Sequence, residues 1–203
     1  MKSCRLFLFL LLAITLLHVA AANAAGIDMD NPNRALGRED DVRIDAQLLT
    51  DTVSPGAPIA VVYQIENLTS RPVAVAEKVA DASYDQESRT ITVAIGSEIP
   101  TGETVPRLTL VAPGEKKLFR IAATAVLNVR AADTVFSTAP RFVQVKVSIL
   151  RDVDAFAAVI QQQAGAPQRL SDELFDRWME SNDTIYLNTL PVRFAPRRNM
   201  VAA

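Results

Sequence analysis

From residue 42 onward, apolar and polar residues alternate in short runs broken by turn residues, which is the period of strands. Val42, Ile44, Ala46 and Leu48 alternate, and Ser54-Pro55-Gly56 then turns the chain. Proline presets φ there and glycine accepts the positive φ that the turn needs. The next run, 59–66, places Ile59, Val61, Tyr63 and Ile65 on one face, so one face of that sheet must be buried. After a turn over 67–72, the pattern predicts strands over 73–79 and 89–95, the latter with Ile91, Val93 and Ile95 in line and closed by Gly96. Further strands are predicted over 108–111, 116–125 and 142–150, with Pro113-Gly114 as a connecting turn. Strands at this spacing, with no helical pattern between them, predict an antiparallel sandwich of about 100 residues.

Beyond Leu150 the period changes. Val153, Phe156, Ala157 and Ile160 fall at i, i+3, i+4 and i+7, which predicts an amphipathic helix ending near Gly165 and Pro167. Its rival is a continuation of the preceding strand, given the β-branched residues in the segment. A second helix is predicted over 171–181, with Ser171 as N-cap and Asp172 and Glu173 at the positive end of the dipole. Leu174 with Trp178, and Phe175 with Met179, make two i, i+4 pairs, while Asp172, Asp176 and Glu180 form an acidic face. Such an apolar stripe is buried either on the sandwich or on a partner. Trp178, Phe175 and Met179 are therefore the candidate binding residues, with core packing as the competing role. A strand-like run over 184–190 can return to a sheet edge and pin the helix on the sandwich.

The N-terminus changes the reading of compartment. Lys2 and Arg5 precede an apolar run from Leu6 to Leu17 and an alanine-rich stretch, the layout of a secretory signal with Ala22 and Ala24 at the cleavage site. The predicted organisation is a signal peptide over 1–24, a flexible acidic leader over 25–41, a sandwich over 42–150, a helical extension over 151–194 and a disordered tail over 195–203. A periplasmic or secreted location follows, with membrane contact only through an uncleaved signal.

Composition then narrows the chemistry. The 203-residue chain carries a net charge of −2, and loss of residues 1–24 removes Lys2 and Arg5 to leave −4. With no long basic tract, the sequence argues against nucleic acid as a partner. The same cleavage removes Cys4 and His18, the only cysteine and histidine, so neither an imidazole-based catalytic centre nor a Cys/His metal site is expected. The seven glycines never form Gly-x-Gly, and no phosphate-cradling Gly-Lys-Ser/Thr occurs, so no nucleotide site and no cofactor are expected. Asp28, Asp30 and Glu39 match three positions of a calcium loop, but Pro32 and Asn33 stand where the loop demands a ligand and a glycine. The acidic pairs Asp152/Asp154 and Asp172/Asp176 keep a carboxylate hydrolase as a further alternative, although helix starts and solvated faces explain them. Two sequons, at Asn67 and Asn182, would matter in a eukaryotic secretory route.

The segments Ser54-Pro55-Gly56, Val61 to Asn67, Ser70-Arg71-Pro72-Val73 and Leu110 to Glu115 together resemble bacterial exported immunoglobulin-like modules. These include adhesion-type domains of the CARDB kind and the domain of the BsuPI proteinase inhibitors. The resemblance covers residues 42–150, and it implies an immunoglobulin-like antiparallel β-sandwich, here with a short C-terminal helical extension. It also implies a non-enzymatic module that binds a protein of the cell envelope, or serves assembly, through sheet edges and loops. A proteinase inhibitor acting through an exposed loop, with 100–106 as the segment, is the alternative. No inhibitor residue carries over, because no reactive-site motif matches.

Overall fold

The alternating runs build two sheets that close on one apolar layer. The computed structural model describes residues 27–98, 106–127, 138–162 and 170–195. In chain order the strands are β1 (Arg34–Glu39), β2 (Val42–Leu48), β3 (Thr52–Val53), β4 (Ile59–Asn67), β5 (Val73–Val75), β6 (Ala80–Asp85), β7 (Thr90–Ile95), β8 (Thr109–Val111), β9 (Lys116–Ala123) and β10 (Phe142–Leu150). A 3-10 turn over Asp154–Phe156 leads into helix α1 (Ala157–Gln162), and helix α2 (Asp172–Ser181) runs directly into β11 (Asn182–Tyr186). Strands β12 (Leu190–Pro191) and β13 (Arg193–Phe194) follow. The chain is thus mainly β, a sandwich with short helices near its C-terminus.

The first sheet has the order β1-β2-β4-β9 and is antiparallel throughout. Its inward residues include Ile44, Ala46, Val61, Tyr63, Ile65 and Phe119, as the alternation requires. Strand β10 organises the second sheet. β7 pairs with it over 142–147 and β5 at Leu150, while β11 and β12 pair with it over stretches that overlap both. A strand has two edges, so β7 and β5 occupy one and β11 and β12 the other. The β7 pairing is parallel, a local departure from the antiparallel expectation. Ile91, Val93 and Ile95 from β7 meet Val143, Val145, Val147 and Ile149 from β10 in the shared core.

The two margins of the sandwich differ. At one, Asn188 bridges to β1: its amide donates to the Leu36 carbonyl at 3.2 Å, and its Oδ1 accepts from the Leu36 amide at 2.6 Å. At the other, the end strands β9 and β6 of the two sheets are in contact with no ladder between them.

Several boundaries differ from the sequence expectation. The leader over 25–41 is not flexible throughout, because residues 34–39 form β1 and pair in full register with β2. Its inward residues are Ala35 and Gly37, too small to give an apolar signal, and a Cβ on Gly37 would stand 2.8 Å from the Tyr186 carbonyl oxygen. Strand 73–79 stops at Val75, and β6 follows as a strand of its own. The segment after Leu150 is helical, which settles the helix against the strand. The predicted strand over 184–190 divides into β11 and β12. Arg193 and Phe194 pair with β3, and Ala195 donates to the Val53 carbonyl at 2.9 Å, so the tail is anchored through 195. The predicted signal over 1–24, residues 100–105 of the proposed inhibitory loop 100–106, and residues 196–203 lie outside the described residues. Among the described residues, no helix is long and apolar enough to cross a membrane.

Candidate functional site

The nominated residues divide between two environments. Ser171 caps α2 by accepting from the Leu174 amide at 3.3 Å, and Asp172 and Glu173 fill the first turn. Trp178 is 1% exposed and sits in a second apolar cluster with Ala74, Ala76, Leu108, Leu150, Val153 and Phe156. Its ring meets Phe156 edge-on at 5.6 Å, and its Nε1 donates to the Ser97 carbonyl at 3.2 Å. Trp178 is therefore the anchor of the helix, as the core-packing role required. Phe175 and Met179 stand on the outward side, 37% and 45% exposed. The structure brings these two together as an i, i+4 pair and separates them from Trp178.

The end of α2 is fixed by β11, whose pairing with β10 leaves no loop for the helix to swing on. Asn182 Nδ2 donates to the Glu98 carbonyl at 2.9 Å. The Glu98 carboxylate accepts from Lys146 Nζ at 2.7 Å and from Thr184 Oγ1 at 3.0 Å. The bond from Lys146 is the main reason that the Glu98 carboxyl titrates below its ordinary range.

Beside this junction lies a cleft of ≈ 340 Å³. The turn 69–73 forms one wall, Arg151 and Asp152 the floor, and Glu180, Ser181 and Asp183 the other wall. The turn is held by Asn67, which is fully buried and fully used. Its Nδ2 donates to the Arg71 and Val111 carbonyls at 2.8 and 2.9 Å, and its Oδ1 accepts from the Thr69 amide and hydroxyl at 3.0 and 2.7 Å. The sequon residue is thus a structural bracket. Arg151 ties the floor to the β1–β2 turn: it pairs with Asp183 and donates to the Asp40 and Glu39 carbonyls at 3.2 and 3.3 Å.

Arg71, on the cleft wall, is exposed and makes no ion pair among the described residues. The cleft therefore offers one guanidinium not engaged by a carboxylate, the hydroxyls of Thr69 and Ser70, and the carboxylates of Asp152 and Glu180. Such a set suits polar recognition by hydrogen bonds and charge. Of the acidic pairs named from the sequence, Asp152 lines the cleft while Asp154 starts the 3-10 turn. Asp172 lies in the first turn of α2, and Asp176 is on its exposed side. Asp28 Oδ1 accepts from the Asp30 amide at 3.0 Å, a local turn. Among the described residues, no group of three or more His, Cys, Asp or Glu is placed to hold a metal.

Sequence reasoning did not find Arg71 or Arg151 as cleft residues. Both read as surface cations next to turns; the pairing of Leu150 in β10 with Ala74 in β5 brings them to the same place, and β11 adds the far wall. The chain matches no family model, and no curated protein is similar to it at a significant level.

Proposed function

We propose that the protein is a non-enzymatic binding module of the cell envelope, and that the cleft beside α2 receives a carboxylate-bearing polar segment of a partner protein. The observation that carries this reading is Arg71, a guanidinium on the wall of a ≈ 340 Å³ cleft that makes no ion pair among the described residues. A planar guanidinium matches a carboxylate in bidentate fashion, and Thr69 and Ser70 supply adjacent hydroxyls. The wall is held by the four hydrogen bonds of Asn67, so the partner meets an ordered surface. Export, expected from residues 1–24, places the partner in the envelope.

The test is affinity capture from envelope extract with wild type and Arg71→Ala. Arg71 is exposed, so the variant should melt within about 0.5 kcal/mol of wild type. Loss of the captured partner with unchanged melting supports the reading. An unchanged captured set, or stoichiometric block of several unrelated proteases by the wild-type chain, overturns it.

A further inference from the structure

The outer face of the first sheet carries a second and different surface. Register places its outward residues in three rows across β1, β2, β4 and β9. They are Arg38, Arg43, Glu66 and Lys116; Leu36, Asp45, Gln64 and Leu118; and Arg34, Gln47, Val62 and Arg120. Five cations thus share a face with two carboxylates, in a chain whose net charge is negative.

Depth sharpens the asymmetry. The Asp45 side chain is 3% exposed and lies beneath Arg34 and Arg43, with N–O distances of 3.1 and 3.0 Å. The Glu66 side chain is 13% exposed and pairs with Lys116 at 3.0 Å. By contrast, Lys116 and Arg38 are 57% and 59% exposed, Arg38 reaching Asp41 in the adjacent turn. Arg120 is exposed and has no ion pair among the described residues. The carboxylates sit below and hold the cations in place, so an approaching molecule meets positive charge. Leu36 and Leu118 stand exposed in the middle row.

This face ends at β9, whose outer edge pairs with no other described strand. Strand β9 runs for eight residues without proline, glycine or bulge. Its Lys116, Lys117 and Arg120 repel another basic edge, while its amides and carbonyls remain a template for a strand of opposite charge. Lys116, Leu118 and Arg120 alternate along it, two residues apart, on the cationic face.

We propose that β9 docks an extended acidic segment of a partner protein, added as a fifth strand to the first sheet. The main chain supplies affinity through the β9 amides and carbonyls that pair with no other described strand. Alternate side chains supply selectivity, with carboxylates opposite Lys116 and Arg120 and an apolar residue opposite Leu118. This surface is separate from the cleft and does not depend on Arg71.

A peptide of sequence Ser-Glu-Thr-Val-Thr-Glu-Ser presents Glu, Val and Glu on one face at the required spacing. Titrated into the full chain, it should slow amide hydrogen exchange across 116–123 and bind more weakly as salt rises past the roughly 10 Å screening regime of 0.1 M. The doubly reversed variant Lys116→Glu/Arg120→Glu should weaken binding by about tenfold or more, as the loss of two close charge contacts implies, and Arg71→Ala should leave it unchanged. Circular dichroism of the variants reports whether the fold is retained. If Lys116→Glu/Arg120→Glu does not fold, the single substitution Arg120→Glu, at a side chain with no ion pair among the described residues, carries the same comparison. The proposal is overturned if the Lys-for-Glu version of the peptide binds equally, or if protection appears at 69–73 instead. It is also overturned if polyphosphate displaces the peptide at equal charge concentration, or if β9 is already protected in the free chain in a concentration-dependent way, which would make a second copy the occupant.

Discussion

Replacing Trp178 by alanine tests whether the helical extension belongs to the fold or to a partner. The side chain is enclosed by Phe156, Leu150, Val153, Leu108, Ala74 and Ala76, and its Nε1 reaches the Ser97 carbonyl. Truncating a buried tryptophan costs about 3–5 kcal/mol, because neighbours relax only partly into the space left. For a chain of this size each kcal/mol moves the melting temperature by about 2–4 °C, so a drop of roughly 6–20 °C is expected. Trp178→Phe retains most of the ring and the edge contact but loses the hydrogen bond to Ser97, and should cost about 1–2 kcal/mol. Thermal melts followed by circular dichroism measure both. Trp178 is the only tryptophan, so its fluorescence reports the same docking independently, shifting to the red when α2 leaves the sandwich. If Trp178→Ala melted within about 1 °C of wild type, the helix would not be anchored as described. The second cluster would then contribute nothing to the cooperative unit.

The remaining predictions concern single groups. Phe175→Ser/Met179→Ser should change stability by no more than about 1 kcal/mol in a denaturant titration, because both side chains face outward. Asn67→Ala removes four hydrogen bonds and leaves the Val111 carbonyl buried without its side-chain donor, so a loss of about 2–4 kcal/mol is expected in the same assay. Tyr63 is buried against Phe119 with no hydrogen-bond partner for its hydroxyl among the described residues; Tyr63→Phe should therefore be neutral or stabilising by about 1 kcal/mol. Burial, and then the charge of Glu77, raises the Tyr63 hydroxyl above its ordinary 10.0, so the unfolded chain loses that proton first and wild type should lose stability as pH rises past 10.0; Tyr63→Phe should remove that slope in alkaline melts. Glu98 titrates below its ordinary 4.5, so its contribution is present above that pH and fades as pH falls through the folded-state value; Lys146→Met should flatten this part of the acid melt profile.

What the sequence disclosed follows from how each residue reports its surroundings. Strand β4 was legible because Ile59, Val61, Tyr63 and Ile65 are large, apolar and all inward. Helix α2 was legible from Ser171 and from the Leu174–Trp178 spacing, but of the three residues for which binding and core packing competed, only Trp178 is buried. Strand β1 was hidden because the pattern is inverted there: Ala35 and Gly37 point inward under the β11 backbone, while Leu36 points out. Strand β6 was hidden because Ala80, Ala82 and Tyr84 give a weak apolar face beside Asp81 and Asp85. The cleft was invisible for a different reason. Its walls come from positions roughly 80 to 110 residues apart, and polar residues next to turns have no periodicity to betray a shared site.

Asn188 bears on how many molecules can join a complex. By giving β1 both a donor and an acceptor, one side chain and one amide occupy groups that another strand would need. The first sheet therefore has one edge open among the described strands and one where Leu36 is already engaged. To pass strand addition from copy to copy through β1, an incoming strand must first displace Asn188 from Leu36. The chain then takes up one added strand at β9 without offering a free Leu36 for the next. Asn188→Pro would remove both bonds at once and convert a capped lattice element into a two-ended one.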